Sequence, residues 1–78
     1  MQTVYLLRCS DGTYYTGCTN NITKRLARHS QGYIHYTRSR LPVELVASFA
    51  FKDKYKAYSF EKYLKSGSGV AFRNKHLV

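Results

Sequence analysis

Val4-Tyr5-Leu6-Leu7-Arg8-Cys9-Ser10-Asp11-Gly12-Thr13-Tyr14-Tyr15-Thr16-Gly17-Cys18 is two runs of β-branched, aromatic and aliphatic residues broken by Ser10-Asp11-Gly12, the pattern of a β-hairpin. A three-residue loop with Gly12 in the left-handed region pairs Cys9 with Thr13, Leu7 with Tyr15 and Tyr5 with Gly17. Tyr5, Leu7 and Tyr15 then share one face, and the absent side chain of Gly17 leaves space over the Tyr5 phenol for another group. A two-residue Asp11-Gly12 turn would instead pair Cys9 with Tyr14 and send the two phenols to opposite faces, because a one-residue slip inverts every side chain. The three-residue loop is the favoured reading. It also puts Cys9 and Cys18 on different faces, which argues against a disulfide between them.

Beyond the hairpin the period changes. Asn20-Asn21 offers an N-cap, and Ile22, Leu26 and Ser30 step by four, which predicts a helix of two to three turns. Arg25 and His29 are also four apart, on a stripe beside the buried edge, so both can reach one point next to the sheet. The plainer alternative is a solvated arginine and a surface histidine. From Gln31 to Leu41 runs a connection carrying Tyr33, His35, Tyr36, Arg38 and Arg40. Rings that stack on splayed bases and guanidinium groups that contact phosphate make this a candidate nucleic-acid loop, although Tyr33 and Tyr36 could equally cover the core. Val43 to Phe51 alternates as a third strand, with Val46 and Ala50 making its second face apolar enough to expect cover on both sides. Lys54 to Ser66 reads as a helix with Ala57, Phe60 and Leu64 inward and Tyr58, Lys62 and Lys65 on a basic face. Gly67 reads as its C-cap and Gly69 as the start of a short last helix, in which Val70, Ala71 and Leu77 close the core and Arg73, Lys75 and His76 face outward. The fold class is therefore α+β, in the order β-β-α-β-α-α.

At 78 residues the chain has room for one domain, residues 1–78. A composition 44% hydrophobic and 15% aromatic excludes disorder. Thirteen Lys and Arg against four Asp and Glu give a net charge of +9, which makes polyanions the natural partners. The basic residues recur from Arg8 to Lys75 among aromatics rather than in a tail, which favours nucleic acid; no basic amphipathic helix stands apart to favour a membrane surface. Cys9 and Cys18 match neither a zinc spacing nor a disulfide framework. No signal peptide is expected before Val4 and no apolar run approaches a membrane span, so the expected location is cytoplasmic.

One carboxylate stands out. Glu61 lies on the apolar stripe of the fourth predicted element's successor helix, where burial is costly unless a cation sits beside it. It is either the partner of an arginine such as Arg25 or a hard oxygen ligand for Mg²⁺.

On these residues the chain resembles the GIY-YIG nuclease superfamily, in particular its small stand-alone bacterial-type members, over nearly its whole length. Val4-Tyr5-Leu6 and Tyr15-Thr16-Gly17 match the two triplets. Asn20-Asn21-Ile22, Arg25, His29, Tyr36-Thr37-Arg38, Pro42-Val43-Glu44-Leu45-Val46 and Phe60-Glu61-Lys62-Tyr63-Leu64-Lys65 follow in order. The resemblance implies a three-stranded antiparallel sheet flanked by helices and a single-metal phosphodiesterase site on one sheet face. It implies that Glu61 holds Mg²⁺ or Mn²⁺, that Arg25 contacts the scissile phosphate, that Tyr5 and Tyr15 orient or deprotonate the attacking water, and that His29 shares the proton traffic. A free phenol titrates near pH 10, so a tyrosine base needs cations nearby. Arg28, Tyr36, Arg38, Arg40, Lys62, Lys65 and Arg73 are the expected nucleic-acid contacts, and the expected substrate is DNA, in repair or processing. The chain departs from the pattern at Val4, Leu6 and Thr16, which stand for Gly, Ile and Ile. It also departs at Cys18, where some repair-type relatives carry a lysine whose cation a thiol cannot supply. Asn74 is matched to a polar residue that the family's last helix brings near the site. The rival expectation is a non-catalytic nucleic-acid-binding module, or a repair-complex adaptor, that keeps the fold.

Overall fold

A computed structural model describes residues 1–78. The elements are β1 (Gln2–Arg8), β2 (Tyr14–Thr19), α1 (Ile22–Ser30), β3 (Glu44–Phe51), α2 (Lys54–Leu64) and α3 (Gly67–His76), the expected order. The strands form one antiparallel sheet in the order β2-β1-β3. The hairpin adopts the three-residue-loop register, with Tyr5 opposite Gly17 and Leu7 opposite Tyr15. Gly12 takes φ 84°, the Cys9 N–H donates to the Thr13 carbonyl at 2.8 Å, and the Asp11 carboxylate accepts from the Thr13 N–H at 3.0 Å. Glycine supplies the left-handed residue that lets the chain reverse in so few residues.

As the central strand, β1 is covered on both faces. Val4, Tyr5, Leu6 and Leu7 are all at most 1% exposed, and each buried aliphatic side chain is worth about 1.5–3 kcal/mol. On one face Val4 packs with Ala57 and Leu64 of α2, joined by Cys18, Phe51, Phe60 and Phe72. On the other, Tyr5 meets Tyr15 and His29. The expectation that the third strand is the doubly covered one is corrected: β3 is an edge strand, with Leu45 42% exposed and Ser48 and Ala50 also open. The cover from α1 sits over β1 and β2, so the apolar character of Val46 and Ala50 does not translate into burial of the whole strand.

Asn21 caps α1 by accepting from the Lys24 N–H at 3.0 Å, and Asp53 caps α2 by accepting from the Tyr55 N–H at 2.8 Å. The end of α2 differs from expectation. Gly67 is the first residue of α3 and not a C-cap, because Ser66 turns the chain by itself: its N–H donates to the Tyr63 carbonyl at 3.0 Å, and its hydroxyl accepts from the Gly69 N–H at 3.2 Å. Gly69 is inside α3 and marks a crossing. A Cβ there would fall on the Tyr63 carbonyl oxygen and 2.5 Å from Leu64 Cα, so only glycine lets α3 cross the end of α2 at backbone contact. That crossing brings the Arg73 guanidinium to 4.5 Å from the Tyr14 ring centre.

Candidate active site

Tyr5 projects from the middle of β1 toward α1. A Cβ on Gly17 would fall on the phenol oxygen and 2.5 Å from Cζ, so the Tyr5 ring itself occupies the space over β2 that was expected to take another group. The phenol Oη lies 2.9 Å from His29 Nε2, and His29 Nδ1 lies 2.7 Å from Thr37 Oγ1. Tyr5, His29 and Thr37 are all 0% exposed. His29 is therefore a buried, doubly hydrogen-bonded ring and not a surface histidine. The Tyr15 ring centre lies 6.1 Å from that of Tyr5 and 5.0 Å from that of His29, and Tyr36 stands 5.5 Å beyond Tyr15.

Burial pushes the Tyr5 phenol up to about 12; the Tyr15 phenol adds to the rise, and the Arg25 guanidinium opposes it. Burial, and then the charge of Arg25, hold His29 below the ordinary histidine range, so the ring is neutral at pH 7. The Cys18 thiol is pushed up by burial and by the Glu61 carboxylate, with Arg25 pulling the other way. The fields of Arg25 and Glu61 thus overlap at Cys18, on the edge strand β2.

Glu61 reaches that point from the opposite side of the sheet. Its helix docks through Ala57 and Leu64 onto Val4, the face away from Tyr5, and Glu61 lies on the same stripe one turn from each. The expected one-face site is corrected accordingly: Tyr5, Tyr15 and His29 are above the sheet, Glu61 is below, and they approach each other around β2. The carboxylate pairs with Lys65 at 3.2 Å and not with Arg25, because Lys65 is its (i, i+4) neighbour.

No cluster of three or more His, Cys, Asp or Glu side chains exists to enclose a metal. Asp11 is paired with Arg40, Asp53 caps α2 and Glu44 sits opposite Arg8 in the sheet, which leaves Glu61 as the carboxylate whose field meets that of Arg25 at Cys18. A lone hard oxygen donor fits a hydrated Mg²⁺ or Mn²⁺ completed by phosphate oxygens, and does not fit a closed zinc site.

Two cation-lined clefts flank this group. One, of about 450 Å³, is lined by Thr19, Asn20, Asn21, Lys24, Arg25, Arg28 and Ile34. The other, of about 370 Å³, includes Tyr14, Tyr15, Tyr36, Lys65, Val70 and Arg73. Of the expected nucleic-acid contacts, Arg28 lines the first cleft and Tyr36, Lys65 and Arg73 the second, while Arg38 and Lys62 are exposed outside both. Arg40 is tied down: it donates to Asp11 Oδ2 at 3.1 Å and to the Tyr36 carbonyl at 2.6 Å, and its guanidinium covers the Tyr36 ring at 4.2 Å. Together with the Ser10 N–H donating to the Arg40 carbonyl at 2.9 Å, it latches the 33–41 segment onto the hairpin. Asn74 is exposed and accepts from Arg73 at 3.2 Å; it does not join the tyrosines. Lys24, Asn20 and Thr37 also belong to the site's surroundings; the sequence offered Asn20 only as a helix cap and within a matched stretch, Thr37 only within Tyr36-Thr37-Arg38, and Lys24 not at all. Thr37 lies in a loop, where no periodicity signals burial.

Two tyrosines from paired strands, an arginine and a histidine one helical turn apart, and a glutamate from the helix after β3 are the arrangement of a GIY-YIG nuclease domain. The profile of the GIY-YIG catalytic domain matches residues 1–74, and the chain belongs to that family. It is similar to UPF0213 proteins: 47% identical to one from Clostridium perfringens, over 83% of this chain and 71% of that one, and 48% identical to one from Streptococcus agalactiae serotype V, over 80% and 72%. The solution NMR structure of the UPF0213 protein BH0048 from Bacillus halodurans superimposes with a TM-score of 0.54 at 42% identity, covering 83% of this chain and 71% of that one. Membership gives the class of function, nuclease-type chemistry on nucleic acid. No helix is long and apolar enough to cross a membrane.

Proposed function

We propose that the protein is a divalent-metal-dependent endonuclease that hydrolyses DNA phosphodiester bonds, acting in repair or processing in the cytoplasm. The observation that carries this reading is the buried hydrogen-bonded line from Thr37 through His29 to the Tyr5 phenol, which ends beside Arg25. In phosphodiester hydrolysis, charge develops on the non-bridging and leaving oxygens, and fixed donors must already be in place there. Arg25 supplies a planar fork for two phosphate oxygens. Tyr5 and Tyr15 hold the attacking water, and neutral His29 is positioned to take the Tyr5 proton. With its phenol at about 12, only about one Tyr5 in 10⁵ is ionised at pH 7, so Tyr5 needs such an acceptor to work as a base. Glu61 would hold Mg²⁺ or Mn²⁺, which when bound neutralises the phosphate and the leaving oxygen. The bound strand would cross the edge of β2 between the Lys24/Arg28 cleft and the Tyr14/Tyr36/Arg73 cleft.

The Glu61–Lys65 ion pair gives a rival reading some support, since it neutralises the metal-binding carboxylate in place. A binding module or adaptor of this kind would bind nucleic acid with strong salt dependence and cleave nothing. The two readings separate on Arg25→Ala and Glu61→Ala. Nuclease function predicts that both lose Mg²⁺-dependent nicking while their circular dichroism stays that of the wild type; full activity in either variant rejects the assignment.

A further inference from the structure

We infer that Thr37 is a positioning residue for the proton acceptor: its hydroxyl holds the His29 ring as the Nδ1–H tautomer, leaving Nε2 free to receive the Tyr5 proton. This rests on the reading of Tyr5 as the group that handles the attacking water. The geometry is a closed line of three fully buried side chains, with 2.9 Å between Tyr5 Oη and His29 Nε2 and 2.7 Å between His29 Nδ1 and Thr37 Oγ1.

A neutral imidazole has one N–H and one bare nitrogen, so fixing either bond fixes the other. Two arrangements satisfy the line: Tyr5 donates to Nε2 while Nδ1–H donates to Thr37, or Thr37 donates to Nδ1 while Nε2–H donates to Tyr5. The first is favoured because the phenol is much the more acidic of the two hydroxyls, and the stronger acid makes the stronger bond to the imidazole lone pair. Arg25 acts in the same direction. A guanidinium only donates, so beside Tyr5 it can engage the phenol oxygen only as an acceptor and leaves the phenol's own proton for Nε2. When Tyr5 gives that proton up, the O–H bond breaks and an N–H bond forms at Nε2. The ring becomes imidazolium, and its Nδ1–H stays bonded to Thr37 throughout. A hydroxyl suits this role where a carboxylate would not: it accepts the Nδ1–H without adding a negative charge, which would hold His29 protonated before it is needed.

Thr37 can be placed this accurately because its loop is fastened to the hairpin through Arg40. The Arg40 N–H donates to the Thr37 carbonyl at 2.9 Å, and Arg40 is itself clamped to Asp11 and to the Tyr36 carbonyl. The chain between α1 and β3, expected to be a nucleic-acid loop, thus also supplies a side chain to the buried half of the site.

The test is the His29 ring in long-range ¹H–¹⁵N correlation spectra of the wild-type protein without substrate or metal. His35 and His76 are both exposed, and the spectra of His35→Gln and His76→Gln assign their signals. The expected result is an Nδ1–H pattern for His29; an Nε2–H pattern overturns the inference, whether or not the protein cleaves DNA. Thr37→Val, which keeps the shape and removes the hydroxyl, should lose the single tautomer and lower kcat by about 10- to 100-fold with little change in KM. Thr37→Ser should restore both. If Thr37→Val does not fold, Thr37→Ser and the wild-type spectrum still decide. A Thr37→Val protein with the wild-type tautomer and wild-type kcat also overturns the inference. Cleavage by none of the proteins, with the Nδ1–H pattern present, would reject the nuclease reading and leave the tautomer assignment standing.

Discussion

Replacing Gly17 with alanine puts a methyl group where the Tyr5 phenol lies. Gly17 has no positive φ, so the strand backbone accepts alanine and the consequence is steric alone. The new Cβ would stand 2.5 Å from Tyr5 Cζ and 2.8 Å from Cε1, and Tyr5 is 0% exposed. Overpacking of this kind costs about 1–3 kcal/mol, offset by about 0.4–1 kcal/mol because alanine restricts the unfolded chain. At the middle of these ranges the net loss is about 1.3 kcal/mol, a fall in Tm of about 5–10 °C for a domain of this size. The ring must also swing away from β2, which breaks its 2.9 Å bond to His29, so cleavage should fall with stability. Thermal unfolding followed by circular dichroism measures the first effect and a nicking assay the second. Gly67→Ala is the control: nothing lies within 4 Å of its Cβ, so it should be neutral or slightly stabilising. A Gly17→Ala protein with the wild-type Tm and full activity would refute this account of how Tyr5 is seated.

Gly69→Ala should be worse than Gly17→Ala, because its Cβ meets the backbone of Tyr63 and Leu64, which cannot turn aside as a ring can; equilibrium unfolding in urea compares the two. His29 contributes a pH dependence of known sign. Its folded pKa is depressed, so the unfolded chain binds the proton more readily; the stability from keeping the ring neutral is present above the ordinary pKa of 6.5 and is lost as pH falls through and below it. Urea unfolding of the wild type and of His29→Gln from about pH 8 to about pH 5 should show their difference shrinking toward acid, and a constant difference would contradict the burial argument. For the strand path, Lys24→Ala with Arg28→Ala should reduce the salt slope of DNA binding in EDTA by about 1.4–1.8, two phosphate contacts' worth. An unchanged slope would move the strand off that cleft.

Where the sequence read correctly, local chemistry decided the outcome. Ser10-Asp11-Gly12 set the loop length, and the loop length set which faces Tyr5 and Tyr15 occupy. Asn21 marked the start of α1 because a side-chain acceptor is needed there whatever the tertiary context. The misreadings came from relations between elements. Alternation in Val43 to Phe51 says which residues share a face, but not that β3 is at the sheet's edge. Gly69 reads like a helix boundary until α2 is seen beneath it. Glu61 is on the core-facing stripe as expected, yet which face of the sheet α2 covers is settled by Val4 packing on Ala57 and Leu64, and that put the carboxylate across the sheet from the phenols. Thr37 stood out only as the middle of Tyr36-Thr37-Arg38, and its burial carried no signal, because a buried loop residue has no period to reveal it.

The central claim is that Tyr5, Tyr15, Arg25, His29 and Glu61 form a phosphodiesterase site around the edge of β2. Its most direct test is end-labelled duplex, nicked, flapped, branched and single-stranded DNA, with RNA counterparts, incubated with the wild-type protein in Mg²⁺, Mn²⁺ or EDTA and resolved on denaturing gels. The account predicts cleavage of at least one DNA substrate with a divalent ion, none in EDTA, and none by Glu61→Gln under any condition. Wild-type protein that binds these substrates yet leaves every strand intact with both ions, or cuts equally well in EDTA, would contradict it.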